Sequence, residues 1–428
     1  MLKKIINTFG TRAISAVINL LIAVVLSQYL GPEGKGIQSI IITTITFVLV
    51  FANLVGGATL VYLVPRHSPS LLLIPSYAWT LLITIVAYIV LLLFPIVDQA
   101  YILHICLLSF LNSVSAINTS ILTGKEKIST ANLVGLLQPL VLIITLFSVF
   151  ITENDPQISH YIFSLYVSFG LTALISIFFY RKHCGRIQVF NLSEYSRIIV
   201  EMIRFGILNQ IAHITQMLSF RLSFYILDRY HGEAAVGVYS NGISIAESIW
   251  LISKSISLVQ YARIANTSDR TESARLTARL IKFSVFASIL LIVPLMLMPS
   301  GFYTWIFGGG FEQTRMVIWT LAFGVLVYNF SILIGHYFSG TGRYHINAIS
   351  STLGLIASLI LYFTLIPSFG IAGAGWGTSI SYLITTIILT YIFNRENKGW
   401  WKELIPSGKD WQQIKSILIK TDINIKSS

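Results

Sequence analysis

Charged residues are scarce in this sequence. Asp, Glu, Lys and Arg make up 11% of the 428 residues and apolar residues 55%, and the mean hydropathy is +0.76. This excludes an ordinary soluble globular protein, in which about a quarter of the residues are charged. The net charge of +12 would suggest nucleic-acid binding only if the cations lay on a folded soluble domain. They fall instead in short loops and the tail, so we expect no nucleic-acid partner.

Motifs that carry catalysis or bind metals are also missing. The two cysteines, Cys106 and Cys184, give neither a disulfide framework nor metal-ligand spacing. The sequence contains no Walker A loop, no HExxH and no GxSxG, and the glycines at 308–310 lack the strand–helix context of a phosphate-binding loop. The connections between apolar runs are too short for a large catalytic loop. We therefore expect no cofactor, no metal and no enzyme activity.

Long apolar runs are what the sequence has in abundance. A helix of about 20 residues crosses the hydrocarbon core of a bilayer, and twelve runs reach that length. They predict an all-α polytopic membrane protein with twelve transmembrane helices in two six-helix lobes around a central cavity. The predicted spans are 10–30, 37–64, 71–97, 100–123, 128–151, 157–180, 204–228, 234–262, 280–299, 316–340, 344–366 and 371–393.

The two halves of the chain repeat each other at an offset of 201 residues. Gly36 and Ser39 in the first half recur as Gly237 and Ser240 in the second. Such a duplication is typical of transporters whose two lobes enclose a substrate site. The predicted units are an N-terminal lobe over 1–180, a cytoplasmic linker over 181–203, a C-terminal lobe over 204–394 and a cytoplasmic amphipathic tail over 395–428.

The distribution of Lys and Arg predicts the orientation in the membrane. Most of the 29 cationic residues lie in the tail and in connections on one side, and such an excess marks the cytoplasmic side. Both termini are therefore predicted to be cytoplasmic. Only Lys35, Arg229 and Arg315 are assigned to outer loops.

Three charges lie deep within predicted spans: Arg221, Glu247 and Lys254. A charge at that depth is costly and usually faces a bundle interior or a water-filled cavity. At 100° per residue, Arg221 shares a polar face with Gln210, and Glu247 shares one with Lys254. These faces predict the wall of a hydrophilic cavity. The alternative is a structural ion pair, Glu247–Lys254 or Arg221–Asp228, that joins helices.

Other polar side chains extend the set of candidate substrate-binding residues. Amides hydrogen-bond sugar hydroxyls, although they also stabilise helix contacts. A guanidinium can bond two phosphate oxygens at once, although one near a helix end also snorkels to the headgroups. The candidates are Arg12, Asn19, Asn53, Gln210, Arg221 and Lys254. Glu247 is the candidate for ion coupling, by a change of its protonation or by competition for the cations, with H⁺ and Na⁺ both open as the driving ion.

Four stretches, taken in order along the chain, resemble the Wzx-type oligosaccharide flippases of the multidrug/oligosaccharidyl-lipid/polysaccharide exporter superfamily. They are SQYLGPEGKGIQS, SILTGKEK, WIFGGGFEQTR and FGIAGAGWGTSISYLI. The resemblance implies movement of an undecaprenyl-diphosphate-linked oligosaccharide from the inner to the outer leaflet of a bacterial cytoplasmic membrane, for O-antigen, capsule or exopolysaccharide assembly. It also implies partners such as a polysaccharide polymerase and other assembly proteins.

Three alternatives remain at this point. Drug and cation antiporters of the same superfamily often use an acidic residue in the first helix, and residues 10–30 contain none. Lipid II flippases are similar, but they usually have fourteen helices. A membrane scaffold within a polysaccharide synthesis complex is a different class, and it would tolerate neutralisation of the deep charges.

Overall fold

The computed structural model describes residues 2–153, 155–267 and 269–405. These residues form α-helices and one terminal 3₁₀ turn, and no strand occurs among them. The predicted tail beyond residue 405 lies outside the described residues. The helices are α1 (Leu2–Ala52), α2 (Gly57–Leu63), α3 (Pro69–Leu93), α4 (Gln99–Gly124), α5 (Ile128–Thr152), α6 (Ile158–Cys184), α7 (Leu192–Ser248), α8 (Trp250–Ala265), α9 (Arg270–Leu297), α10 (Ser300–Phe307), α11 (Thr314–Gly340) and α12 (Tyr344–Glu396).

Three of these helices are broken by a glycine with positive φ. The breaks are Gly31 in α1 (φ 65°), Gly232 in α7 (φ 77°) and Gly370 in α12 (φ 54°). Glycine adopts this backbone conformation without the steric cost of a side chain. The two arms of α12 fold back on each other, since the hydroxyls of Tyr362 and Thr378 lie 2.9 Å apart. Each broken helix therefore supplies two arms.

The arms account for the number of predicted spans. Among the described residues, eight helices are long and apolar enough to cross a membrane, or nine if the bent α7 counts as one span. Counting both arms of α1, α7 and α12 gives twelve spans. The all-α polytopic membrane fold predicted from the sequence is confirmed.

The connection between the two halves is largely helical. Helix α6 continues to Cys184 and α7 begins at Leu192, so only 185–191 of the predicted linker 181–203 is irregular. The start of α7 is fixed by a capping box, in which Asn191 and Glu194 satisfy each other's backbone N–H groups. A polar linker sequence is thus compatible with a helical extension of the seventh span.

A short helix occupies what the sequence predicts as an outer loop over 301–315. Helix α10 buries Tyr303 and Phe307 completely, and the amide of Gln28 in α1 donates to the carbonyl of Ile306 at 2.8 Å. The glycines that follow at 308–310 favour a loop in the sequence-based prediction. The aromatic residues before them instead pack α10 against the first helix.

The repeated glycines mark a close crossing of α1 and α7. A Cβ at Gly36 would overlap the carbonyl of Glu233, and a Cβ at Gly237 would overlap the carbonyl of Pro32. Pro32 and Glu233 are themselves separated by the repeat offset, so the two contacts are equivalent by pseudo-symmetry. The duplication predicted from the sequence therefore appears as a self-complementary contact between the halves. We call this contact the glycine crossing.

We predict that the glycine crossing can be trapped by a disulfide. The hydroxyls of Ser39 and Ser240 lie 2.8 Å apart, and in the double cysteine variant the two sulfur atoms would take the places of these oxygens. We therefore expect them to come within reach of a disulfide bond, which joins sulfurs about 2.05 Å apart. With the two native cysteines replaced by alanine, Ser39→Cys with Ser240→Cys should cross-link under mild oxidation. A protease site inserted at 185–191 detects it, because cleaved halves stay joined until reduction.

Ser39→Cys with Ser248→Cys is the matched control, since Ser248 lies about 12 Å further along α7 by helical rise. Equal cross-linking of both pairs, or of neither, would contradict the crossing.

Candidate functional site

A cavity of about 500 Å³ lies between the two arms of α1 and helices α4, α5 and α6, with α7 forming one wall. This volume is within the usual range of ligand sites, about 300–1,000 Å³. Hydroxyls and amides line much of it, together with two cations. The polar lining residues are Ser15, Asn19, Lys35, Gln38, Ser39, Thr43, Thr46, Asn112, Gln138, Tyr161, Arg221, Ser240 and Ser244.

Arg221 reaches this cavity from the first arm of α7 and pairs with Glu247 on the second arm. Its two terminal nitrogens donate to the two carboxylate oxygens of Glu247, at 3.2 and 2.7 Å. The hydroxyl of Tyr382 in α12 donates to the same carboxylate at 2.8 Å. Both side chains of the pair are largely buried, 22% and 13% exposed. A bidentate pair of this kind is strong and geometrically specific.

Tyr382 is held in place by an aromatic cluster. Its ring centroid lies 4.9 Å from Phe220, 5.2 Å from Trp250 and 4.8 Å from Tyr328. The indole N–H of Trp250 donates to the carbonyl of Val325 at 2.9 Å, which satisfies its polar atom inside the cluster. The cluster therefore fixes the hydroxyl that orients Glu247. No sequence pattern predicted a role for Tyr382, which lies 135 residues from its partner.

Lys254 and Glu247 do not form the ion pair that the sequence offered as one alternative. The Lys254 ammonium lies 5.6 Å from the ring centroid of Trp250, a cation–π distance. Within the described residues it has no carboxylate partner, and the side chain is exposed. Glu247 pairs instead with Arg221, and Asp228, the other proposed partner of Arg221, lines a different pocket near Asp98 and Glu233.

Asn53 and Gln210 lie together at a contact between the halves of the chain. The amide nitrogen of Gln210 donates to the backbone carbonyl of Asn53 at 3.1 Å. A Cβ at Gly206, one turn before Gln210, would overlap the carbonyl of Leu54. Neither amide lines the cavity around Arg221, so their substrate-binding role stays a prediction.

The structure divides the remaining candidates. Asn19 lines the cavity with Arg221. Arg12 is exposed, three residues before Ser15, the first lining residue of α1, and is not among the lining residues. Its predicted role in binding substrate therefore also remains a prediction.

Lys35 lies in a helix and is buried, contrary to the prediction from the sequence. It was assigned to an outer loop, but it lies in the first turns of the second arm of α1 and is only 6% exposed. Its ammonium donates to the amide oxygen of Gln38 and to the hydroxyl of Ser39. The Gly-Pro sequence before it suggests a loop, whereas Gly31 reverses the chain and Pro32 already begins the next helical arm. The sequence pattern that indicates a helical Lys35 is the pair of polar residues at i+3 and i+4, Gln38 and Ser39, which lie on the same helix face.

Comparison with known proteins identifies the family of the chain. The sequence model of the family described as "Polysaccharide biosynthesis protein" matches residues 1–259. The capsular polysaccharide biosynthesis protein CapF of Staphylococcus aureus is 23% identical over 173 residues, which are 40% of this chain and 44% of that protein. The probable low-salt glycan biosynthesis flippase Agl15 of Haloferax volcanii is 22% identical over 160 residues, 36% of this chain and 34% of that protein. The matched regions thus span less than half of either relative.

Solved structures share the fold. The lipid II flippase MurJ in an inward closed conformation aligns with a TM-score of 0.72 at 17% identity, covering 100% of this chain and 99% of that one. An inward-facing multidrug resistance transporter of the MATE family aligns with a TM-score of 0.72 at 14% identity, covering 91% and 96%. At these identities the likeness establishes the architecture alone.

We predict strongly non-additive effects on stability when the Arg221–Glu247 pair is removed. Arg221→Met or Glu247→Met alone leaves a buried charge without its partner, which typically costs about 3–5 kcal/mol. The double substitution leaves neither charge and should melt at a higher temperature than either single variant. Thermal unfolding of the purified variants measures this, with Arg315→Met, at an exposed position, as the control. Losses that simply add would show that the two side chains act independently.

Proposed function

Because the chain belongs to the polysaccharide biosynthesis protein family, we propose that it is a flippase for lipid-linked glycans. Its substrate in this proposal is an undecaprenyl-diphosphate-linked oligosaccharide repeat unit, moved from the inner to the outer leaflet of a bacterial cytoplasmic membrane. The product would feed O-antigen, capsule or exopolysaccharide assembly, with a polysaccharide polymerase as the next protein to act on it. The protein is proposed to transport this substrate rather than to alter it chemically.

The observation that carries this proposal is the chemistry of the cavity wall. Hydroxyls and amides such as those of Asn19, Asn112 and Gln138 match the hydroxyl-rich surface of a glycan. Arg221 offers a guanidinium whose planar fork suits phosphate oxygens. It is paired with Glu247 in this structure, so a diphosphate entering the site would replace that carboxylate. Lys35 supplies the second cation at the cavity surface. Lys254 on α8 is not among the lining residues and has no carboxylate partner among the described residues, so we propose that it contacts the diphosphate outside this cavity.

The route across the membrane in this proposal is alternating access between two lobes. The lobes are 1–180 and 204–394, joined on the cytoplasmic side by 181–203, with both termini and the tail 395–428 cytoplasmic. The glycine crossing then closes the outer side, and it has to separate before the glycan can leave. The contact of Gln210 with Asn53 lies toward the inner side and separates when substrate enters.

Two other transport functions fit the same fold. A lipid II flippase also handles a lipid diphosphate, and the MurJ likeness favours keeping it as the second candidate. A multidrug antiporter for cations is disfavoured by the charge of the cavity. Among the lining residues only Lys35 and Arg221 are charged, and both are cationic.

We predict that Arg221→Ala and Lys254→Ala each slow translocation of the lipid-linked oligosaccharide. A hydrogen bond to a charged group contributes about 1.5–3 kcal/mol, so a loss of about tenfold or more is expected from each. The assay reconstitutes purified protein in vesicles and follows exposure of the glycan to a membrane-impermeant enzyme. Arg315→Ala is the control.

Unchanged rates in the Arg221→Ala, Lys254→Ala double variant would exclude the cationic route and favour a scaffold role. Equal or faster movement of lipid II by the wild-type protein would instead favour the second candidate.

We predict a different outcome for Glu247→Gln. The amide keeps the shape of the side chain but removes the charge that competes with substrate for Arg221. If Glu247 couples transport to protons, the variant should still bind the lipid-linked glycan, and its translocation rate should no longer change with pH where that of the wild-type protein in the same vesicles does. A pH profile identical to that of the wild type would mean that Glu247 does not couple transport to protons.

A further inference from the structure

Lys35 is the charge in the cavity that lacks a counter-ion. Arg221 is neutralised by Glu247, whereas no acidic side chain of the described residues pairs with Lys35. Its neighbours within hydrogen-bond reach, Gln38 and Ser39, are uncharged. An ammonium that is only 6% exposed within a membrane-spanning segment is expensive without an anion beside it. The cavity therefore contains an uncompensated positive position.

The hydrogen bonds of Lys35 leave one donor free. An ammonium has three N–H groups, and the described structure uses two of them, on the amide oxygen of Gln38 and the hydroxyl of Ser39. Gln38 is itself oriented by its own donation to the Tyr161 hydroxyl at 3.2 Å, and Tyr161 is fully buried. The ammonium is thus held in place by polar contacts on one side, with a donor left over at the cavity surface.

Lys35 and Arg221 lie at different depths in the cavity. Lys35 follows the Gly31 reversal by four residues, about 6 Å of helix, while Arg221 precedes the Gly232 reversal by eleven, about 16 Å. The two reversals lie at the same end of the molecule, because the glycine crossing joins them. The free cation is therefore about 10 Å nearer to that end than the paired one.

We propose that Lys35, with Gln38 and Tyr161, forms a binding subsite for an oxyanion at the glycine-crossing end of this cavity. The inference rests on the proposed function, since the ligand it implies is part of a lipid-linked glycan. Two sources supply the same chemistry: the diphosphate of the carrier lipid, or the carboxylate of an acidic sugar. In the first case Lys35 receives the diphosphate after Arg221. In the second it selects acidic repeat units over neutral ones.

The subsite also touches the contact between the halves. Ser39, which accepts from Lys35, donates to Ser240 at 2.8 Å. An oxyanion on the third N–H of Lys35 shares the ammonium with Ser39. Ligand binding is thereby linked to the hydroxyl pair at the glycine crossing.

Thermal melting of the full-length protein in detergent tests the subsite independently of transport, because a ligand that binds the folded state raises the melting temperature. Three ligands are compared: undecaprenyl diphosphate without sugar, an oligosaccharide that contains glucuronate, and its neutral glucose counterpart. The variants are Lys35→Met, which keeps length and removes charge, and Lys35→Arg, which keeps charge. Lys125→Met, at an exposed loop position, is the matched control.

We expect the wild-type protein, Lys35→Arg and the control to be stabilised by at least one of the two anionic ligands. Lys35→Met should bind that ligand about tenfold more weakly or worse, with its response to the neutral oligosaccharide unchanged. Loss confined to undecaprenyl diphosphate identifies the carrier as the source, and loss confined to the glucuronate oligosaccharide identifies the sugar.

Equal binding of both anionic ligands by Lys35→Met and wild type overturns the proposal, and so does a wild-type protein that responds to neither. The proposed function has a separate criterion. Wild-type protein that fails to flip lipid-linked glycan in vesicles refutes the flippase, whatever Lys35 binds. If the wild-type protein flips lipid-linked glycan and the Lys35→Met variant still binds both anionic ligands normally, only the subsite is refuted.

Discussion

The close approach of two backbones at the glycine crossing is the constraint on which this structure depends. Gly36 and Gly237 each leave space that the other half's carbonyl group occupies, so neither position tolerates a side chain in this arrangement. The contact holds the second arms of α1 and α7 together and brings Ser39 against Ser240. Lys35 and Ser39, which line the cavity, lie within one turn of Gly36 and therefore beside this contact.

Much of this architecture could be predicted from the sequence, because the signals involved are periodic. Apolar run length identified the spans, and helical periodicity put Arg221 and Glu247 on polar faces of neighbouring helices. The repeat offset even paired Ser39 with Ser240, which are in contact. These inferences succeed because each depends on positions within one helix or on the equivalence of the two halves.

The parts that could not be predicted depend on packing between helices. Both Lys254 and Arg221 could have formed an ion pair with Glu247. Arg221 forms it because the two arms of α7 pack against each other, which the sequence does not show. Tyr382 completes that group from a helix far away in sequence, and no local pattern marks it. Lys35 was misread for a different reason, since a Gly-Pro turn looks the same whether the chain then enters solvent or a new helical arm.

The pairing of Arg221 with Glu247 has an electrical consequence for the proposed transport cycle, in which the protein returns without substrate. A single charge carried through the membrane field involves work of about 2.3 kcal/mol for every 100 mV. The paired guanidinium and carboxylate have no net charge, so their joint displacement involves no such work. Reorientation of the unloaded protein is then insensitive to the membrane potential as far as these two residues are concerned. An anion that binds Arg221 adds its own charge to the moving body, so reorientation of the loaded protein would depend on the membrane potential.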